Sequence, residues 1–159
     1  MDRFFVDFQE LLESLHRDFI ATFEGLPQEA LDWVPGEEMN SLCVLVVHTT
    51  GATRFWVGDM AMGESSNRDR AAEFQARGWS ESALKERLAS TKAYVRTALE
   101  RLTLADLALV REVPGRNFQT SVTWALLHAL EHTSLHLGHA QLTRQLWQQR
   151  ATIRLSQNQ

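Results

Sequence analysis

Cysteine is nearly absent from this 159-residue chain: Cys43 stands alone, so no internal disulfide can form. The fold then needs no oxidising compartment, and a cytoplasmic location is the default expectation. Proline occurs only three times, which leaves long stretches free to be helical. No apolar run approaches the roughly 20 residues of a membrane span. The opening Met1-Asp2-Arg3-Phe4-Phe5 lacks the basic start and apolar core of a signal peptide. Lys and Arg number 16 against 20 Asp and Glu, with no basic cluster, which argues against nucleic acid as a partner. Phosphate loop, serine-triad motif and dinucleotide fingerprint are all missing. So are internal repeats and low-complexity tracts, and residues 1–159 read as a single domain.

What is present is helical periodicity in four stretches. From Asp2 to Phe23, Phe4, Phe8, Leu11, Leu12, Leu15, Phe19 and Phe23 recur every three or four residues. Gly25 and Pro27 end that stretch, and the connector Leu26 to Met39 follows, with a Trp33 expected to pack down rather than stay in water. The second helix spans Ser41 to Met62, capped by Asn40 or Ser41, with Leu45, His48, Ala52, Phe55 and Trp56 on one side. Gly63 to Gly78, with Arg68, Asp69 and Arg70, reads as a plain polar connector. The third helix runs from an N-cap at Ser80 to Leu102, its inner face marked by Leu84, Leu88, Thr91, Val95, Ala98 and Leu102. Thr103 to Thr120 forms a long connector in which Leu109 to Val113 alternates enough for a short extended piece. The fourth helix covers Ser121 to Gln149, with an expected inner stripe of Trp124, His128, His132, Leu135, His139 and Leu142. Four amphipathic helices satisfy one another as an all-α four-helix bundle. The connectors are longer than usual bundle turns, and the middle one is long enough to cross the bundle, so up-down-up-down topology is not required.

The chemistry lies in the histidines. Four of the six fall between Ala125 and Ala140: His128, His132, His136 and His139. On a helix they lie within about 80° of one another, and residues four apart rise about 6 Å, close enough to clasp one ion. His128 with His132, His132 with His136, and His136 with His139 are all admissible pairs. A third ligand must come from another helix, and His48 is the single histidine of helix two, on its apolar side. Imidazole ligands suit zinc, nickel, iron or copper better than magnesium or calcium. A three-ligand site also leaves coordination positions open for chemistry.

Three motifs then resemble the DinB/YfiT-like family of metalloenzymes. They are Leu31-Asp32-Trp33-Val34-Pro35, then Asn40-Ser41-Leu42 with Leu45-Val46-Val47-His48 and Phe55-Trp56, and finally His132-Thr133-Ser134-Leu135-His136-Leu137-Gly138. The last is similar to the family's H-x-x-x-H-x-G segment. The resemblance implies His48, His132 and His136 as ligands of a divalent transition metal, zinc or nickel first and iron next. It places His128 and His139 outside the ligand set. Where family members often carry Gln after the glycine, this chain has His139. The resemblance also implies a four-helix bundle, often with a parallel middle pair, and frequently a dimer. The family's characterised branches include thiol transferases that use bacillithiol and an isomerase that uses mycothiol, so the resemblance implies a small electrophilic substrate and a low-molecular-weight thiol as partners.

The remaining residues carry bland expectations. Cys43 reads as a small buried hydrophobe. Glu131 neighbours His132 but is more simply a solvated side chain, as are Arg54 and Arg144. Trp56 and Trp124 read as core. A metal-dependent hydrolase would want a carboxylate base beside the metal, and the sequence offers none; Asp59 lies about 16 Å along the helix from His48. A non-catalytic stress-response protein is the third reading. Helix two is apolar nearly all round, with Cys43, Val46, Val47 and Val57 off its inner side, which leads to the expectation of a homodimer through that helix.

Overall fold

The computed structural model describes the backbone of residues 1–157 and the side chains of residues 1–150. Four long helices carry the fold: α1 (Arg3–Phe23), α3 (Leu42–Arg54, continued by a π-helical segment Phe55–Met62), α5 (Glu81–Arg101) and α6 (Val122–Gln157). Single-turn helices α2 (Gln28–Leu31) and α4 (Arg70–Glu73) sit in the first two connectors. The third connector forms a 3-10 turn (Leu104–Ala108) and a two-stranded antiparallel hairpin of β1 (Val110–Glu112) and β2 (Gln119–Ser121), pairing Val110 with Ser121 and Glu112 with Gln119. The extended piece expected at Leu109 to Val113 is this first strand. Among the described residues, no helix is long and apolar enough to cross a membrane.

Local chemistry accounts for the boundaries. Ser41 and Ser80 each accept a hydrogen bond from the backbone N–H three residues on, at 3.1 and 3.2 Å. Such caps are worth about 1 kcal/mol apiece. Gly63, at φ +70°, ends the π-helical segment in the left-handed conformation that glycine adopts freely.

Each long helix packs on two others, in the ring α1–α6–α3–α5, with α1 and α3 on one diagonal. The core divides into two apolar clusters. One holds Phe5, Phe8, Leu12, Trp56, Met60, Leu99 and Leu126, and the other Phe19, Phe23, Leu42, Leu45, Leu84, Leu88 and Leu137. Chain order through these clusters fixes direction. α1 and α6 run from the first cluster to the second, whereas α3 and α5 both run from the second to the first. The middle pair is therefore parallel, and the connector between them crosses the length of the bundle. Between the clusters lies a polar waist: His16 on α1, His48, Thr49 and Thr53 on α3, Thr91 on α5, and His132 and Thr133 on α6.

Two expectations need correction. The buried face of α6 is not the stripe through Trp124, Leu135 and Leu142, which are 43%, 57% and 45% exposed. It is Val122, Ala125, Leu126, Ala129, Thr133, Leu137, Ala140 and Thr143, whose small side chains let neighbouring helices approach. Likewise Leu11 of α1 faces solvent and Phe5 is buried in its place. On α3 every residue from Leu42 to Thr53 is buried within the one chain. The connector helices α2 and α4 lie against its outer side within the one chain. Trp33 packs as expected, edge-on to Trp147 at 5.5 Å.

Candidate metal centre

The waist of the bundle opens on the groove between α3 and α6, and three histidines meet there. His48 comes from the middle of α3, and His132 and His136 from adjacent turns of α6. Their ring centroids lie 5.0, 4.9 and 4.4 Å apart. One nitrogen from each lies within 4.8 Å of the others, close enough to share one ion, and His48 is the most buried of the three. Of the pairs open on sequence spacing, the structure brings His132 and His136 to His48. His128 turns away, stacked on Trp124 at 4.6 Å and edge-on to Trp56 at 4.7 Å, with Nδ1 3.1 Å from Glu131. Glu131 thus addresses His128 and not a member of the trio. Phe74 closes over His48 at 4.4 Å between centroids.

The connector read as plain is not. Residues 63–78 deliver Glu73 to His48, with Oε2 2.9 Å from Nδ1, and the Glu73 carboxylate is 5% exposed. Arg68 grips both carboxylate oxygens, through Nε and Nη2, at 2.7 Å each. Burial alone would raise the Glu73 pKa, but hydrogen bonds from His48 and Arg68 outweigh it and hold the group below the usual carboxylate range. An ionised Glu73 accepts the Nδ1 proton of His48. That fixes the tautomer whose Nε2 lone pair is free, the arrangement that orients metal-binding histidines. Arg68 Nη2 also approaches His48 Nδ1 at 3.4 Å, but two donors make that a contact and not a bond. Gly51 makes room: a Cβ there would overlap Glu73 Oε1 and stand 2.7 Å from its Cδ. Asp69 caps the single turn α4 by accepting from Ala72 N at 2.9 Å, which positions Glu73 at the end of that turn.

The donor set fits a transition-metal ion. Burial lowers the pKa of His132 to about 3 and of His136 to about 4, helped by neighbouring imidazoles, so both keep a lone pair at neutral pH. His132 Nδ1 is buried with no hydrogen-bond partner among the described residues, an expensive state for a polar atom. His136 Nδ1 lies 3.3 Å from His139 Nδ1, so the histidine that follows Gly138 is in contact with one of the trio. Cys43 is fully buried eight residues from Gly51 and far from any role here; burial raises its thiol pKa.

A model of the DinB superfamily matches residues 11–140. The chain belongs to the DinB superfamily. Its structure is similar to the crystal structure of a conserved protein from Enterococcus faecalis, with a TM-score of 0.77 at 15% identity, covering 92% of this chain and 98% of that one. At that identity the likeness establishes the fold. No curated protein matches the chain. The three histidines of this DinB superfamily member lie inside or at the edge of the matched span, and Arg68, Glu73 and His139 lie within it too. Sequence reasoning missed Glu73 and Arg68, because a carboxylate in a polar loop carries no periodic signal. The Asp69 cap, marking a short helix inside that loop, was the available hint.

Proposed function

We propose that this protein is a metal-dependent enzyme that transfers a low-molecular-weight thiol to a small electrophile. The observation that supports it is the donor set: among the described residues, the group that could hold an ion is three imidazoles. Neutral ligands leave the full charge of a divalent ion, zinc or nickel first and iron next, uncancelled. When bound, such an ion would lower the pKa of a thiol and keep it ionised at neutral pH. The chain's own part is to hold the three lone pairs in place. Glu73 and Arg68 fix His48, and His139 meets His136. Phe74 shields the His48 side from water.

Hydrolysis gains less support. The Glu73 carboxylate, which contacts the trio at His48, is engaged by Arg68 and His48 and held ionised, so it is poorly placed to take a proton from water. The test combines elemental analysis of the purified protein with a conjugation assay on bacillithiol- and mycothiol-type thiols and a halogenated aromatic electrophile. Stoichiometric metal and metal-dependent loss of thiol are expected. His132→Ala should abolish both, while His128→Ala keeps the metal. Hydrolysis of ester or amide substrates without any thiol, at full metal loading, would replace this reading with the hydrolase.

A further inference from the structure

Next to the histidines, across the Arg68–Glu73 pair, a cleft of about 700 Å³ opens between α3 and α5 beneath the connector 63–78. Its α3 wall is the stripe Val47, Thr50, Gly51 and Arg54, and its α5 wall includes Arg87. None of the three histidines lines it. The Arg68–Glu73 pair forms the partition between cleft and metal centre.

Charge in the cleft is unevenly spent. Arg68 and Glu73 cancel. Arg87 is half-buried and, among the described residues, has no carboxylate within ion-pair distance. It donates from Nε to Thr50 Oγ1 at 2.7 Å and from Nη2 to Val47 O at 3.4 Å, and Nη1 has no partner among the described residues. Burial lowers its pKa, with the Glu73 charge opposing. A guanidinium does not lose its proton in a protein, so here it stays a desolvated cation that an anion would stabilise. Arg54 likewise makes no ion pair; its guanidinium lies on the Tyr94 ring, 3.2 Å from the centroid. Trp79 forms an aromatic wall beneath Arg87, 5.3 Å away. Against these two cations stand two further lining carboxylates, Asp69 and Glu86, both at the exposed rim.

We propose that this cleft is a second ligand site, taking a small zwitterion of the amino-acid or short-peptide class. The ligand carboxylate is received by Arg87 and Arg54, and its ammonium group faces Asp69 and Glu86. A guanidinium matches a carboxylate in a two-bond fork. A polyanion such as a nucleotide would meet the two rim carboxylates and be repelled. A purely apolar ligand would bury Arg87 without relief. The volume lies within the range of small-molecule sites. The proposal stands independently of the thiol-transfer reading, since it uses none of the residues that hold the metal.

The test is a titration of the full-length, metal-loaded protein followed by ¹H–¹⁵N NMR. The probes are L-glutamine and L-alanyl-L-alanine, with acetate, methylammonium and inorganic phosphate as controls. Saturable shifts of the Trp79 indole N–H and the Ala83 amide are expected with the two zwitterions, and markedly weaker ones with the controls. Arg87→Gln should weaken binding at least tenfold with metal content unchanged. Because Arg87 also braces Val47, Arg54→Gln serves as a second variant and should weaken it severalfold. Absence of saturable shifts with either zwitterion overturns the proposal. So does phosphate binding as tightly as the zwitterions, or indifference of binding to both arginine variants.

Discussion

At the scale of single residues, the metal centre depends on an atom that is missing. Gly51 lies on α3 one turn after His48 and has an ordinary helical backbone, so its conformational freedom is not what it contributes. It contributes space: any side chain at that position collides with the Glu73 carboxylate. Gly51→Ala should therefore push Glu73 off both Arg68 and His48 and leave the His48 ring free to turn. Outer-shell partners of this kind are worth about 10- to 100-fold in metal affinity, and a loss in that range is expected by competition with a chelator. Gly138 gives the contrast, because a Cβ there meets nothing within 4 Å. Gly138→Ala should keep metal affinity and stabilise α6 by roughly 0.5–1 kcal/mol. Equal metal affinity in the two variants would mean that Glu73 has no hold on the site.

At the scale of elements, periodicity made α1, α3 and α5 legible and misled on α6. Every residue expected on the inner face of α5 is buried, and Leu99 joins them; the outer face is charged and the contrast is clear. Helix α6 has large apolar side chains on its exposed side, Trp124, Leu127, Leu135 and Leu142, and alanines and threonines inside. Ranking by side-chain size therefore turned the helix the wrong way, while the histidines, at the edge of the buried face, were placed well enough by spacing. The π-helical turn Phe55–Met62 was invisible for a different reason. A wheel drawn at 100° per residue assumes the very hydrogen bonding that changes there. The uniform apolarity of α3 was real but its cause was local: α2, α4 and their flanking connectors bury it. Val47, 5% exposed, should consequently respond to charge as core. Val47→Glu is expected to cost several kcal/mol or to prevent folding, through an unpaired buried charge. Leu135→Glu, at a position 57% exposed, should stay within about 0.5 kcal/mol of the parent. Urea unfolding of both variants checks this. A well-folded Val47→Glu protein would show that α3 is less enclosed than its packing indicates.

At the scale of the whole molecule, the bundle is two apolar ends joined by a polar waist, and the waist makes stability depend on pH. His16 is the member of that layer farthest from any expected role. It is 4% exposed, and neither ring nitrogen has a hydrogen-bond partner among the described residues. Burial lowers its pKa to about 4, with the charge of Lys92 adding and that of Glu13 opposing. The unfolded chain takes up a proton on this side chain near pH 6.5, well before the folded one does. Between those values the unfolded state binds more protons, so stability rises with pH. The contribution is complete above pH 6.5 and disappears as pH falls to about 4, a loss of at most roughly 3 kcal/mol. In metal-free protein His132 and His136, also lowered, act in the same direction. A metal ion held by the trio would add to the dependence, because it would favour the folded state and compete with protons for the same nitrogens. His16→Leu separates the two effects. With chelator present, the variant should be more stable than the parent at pH 5, and its stability should fall less steeply between pH 6.5 and 4. Its metal affinity at pH 7.5 should be unchanged, since His16 does not touch the trio. Parallel stability curves for parent and variant would mean that His16 is hydrated or protonated in the folded protein, and that the acid sensitivity of the bundle arises at the α3–α6 groove alone.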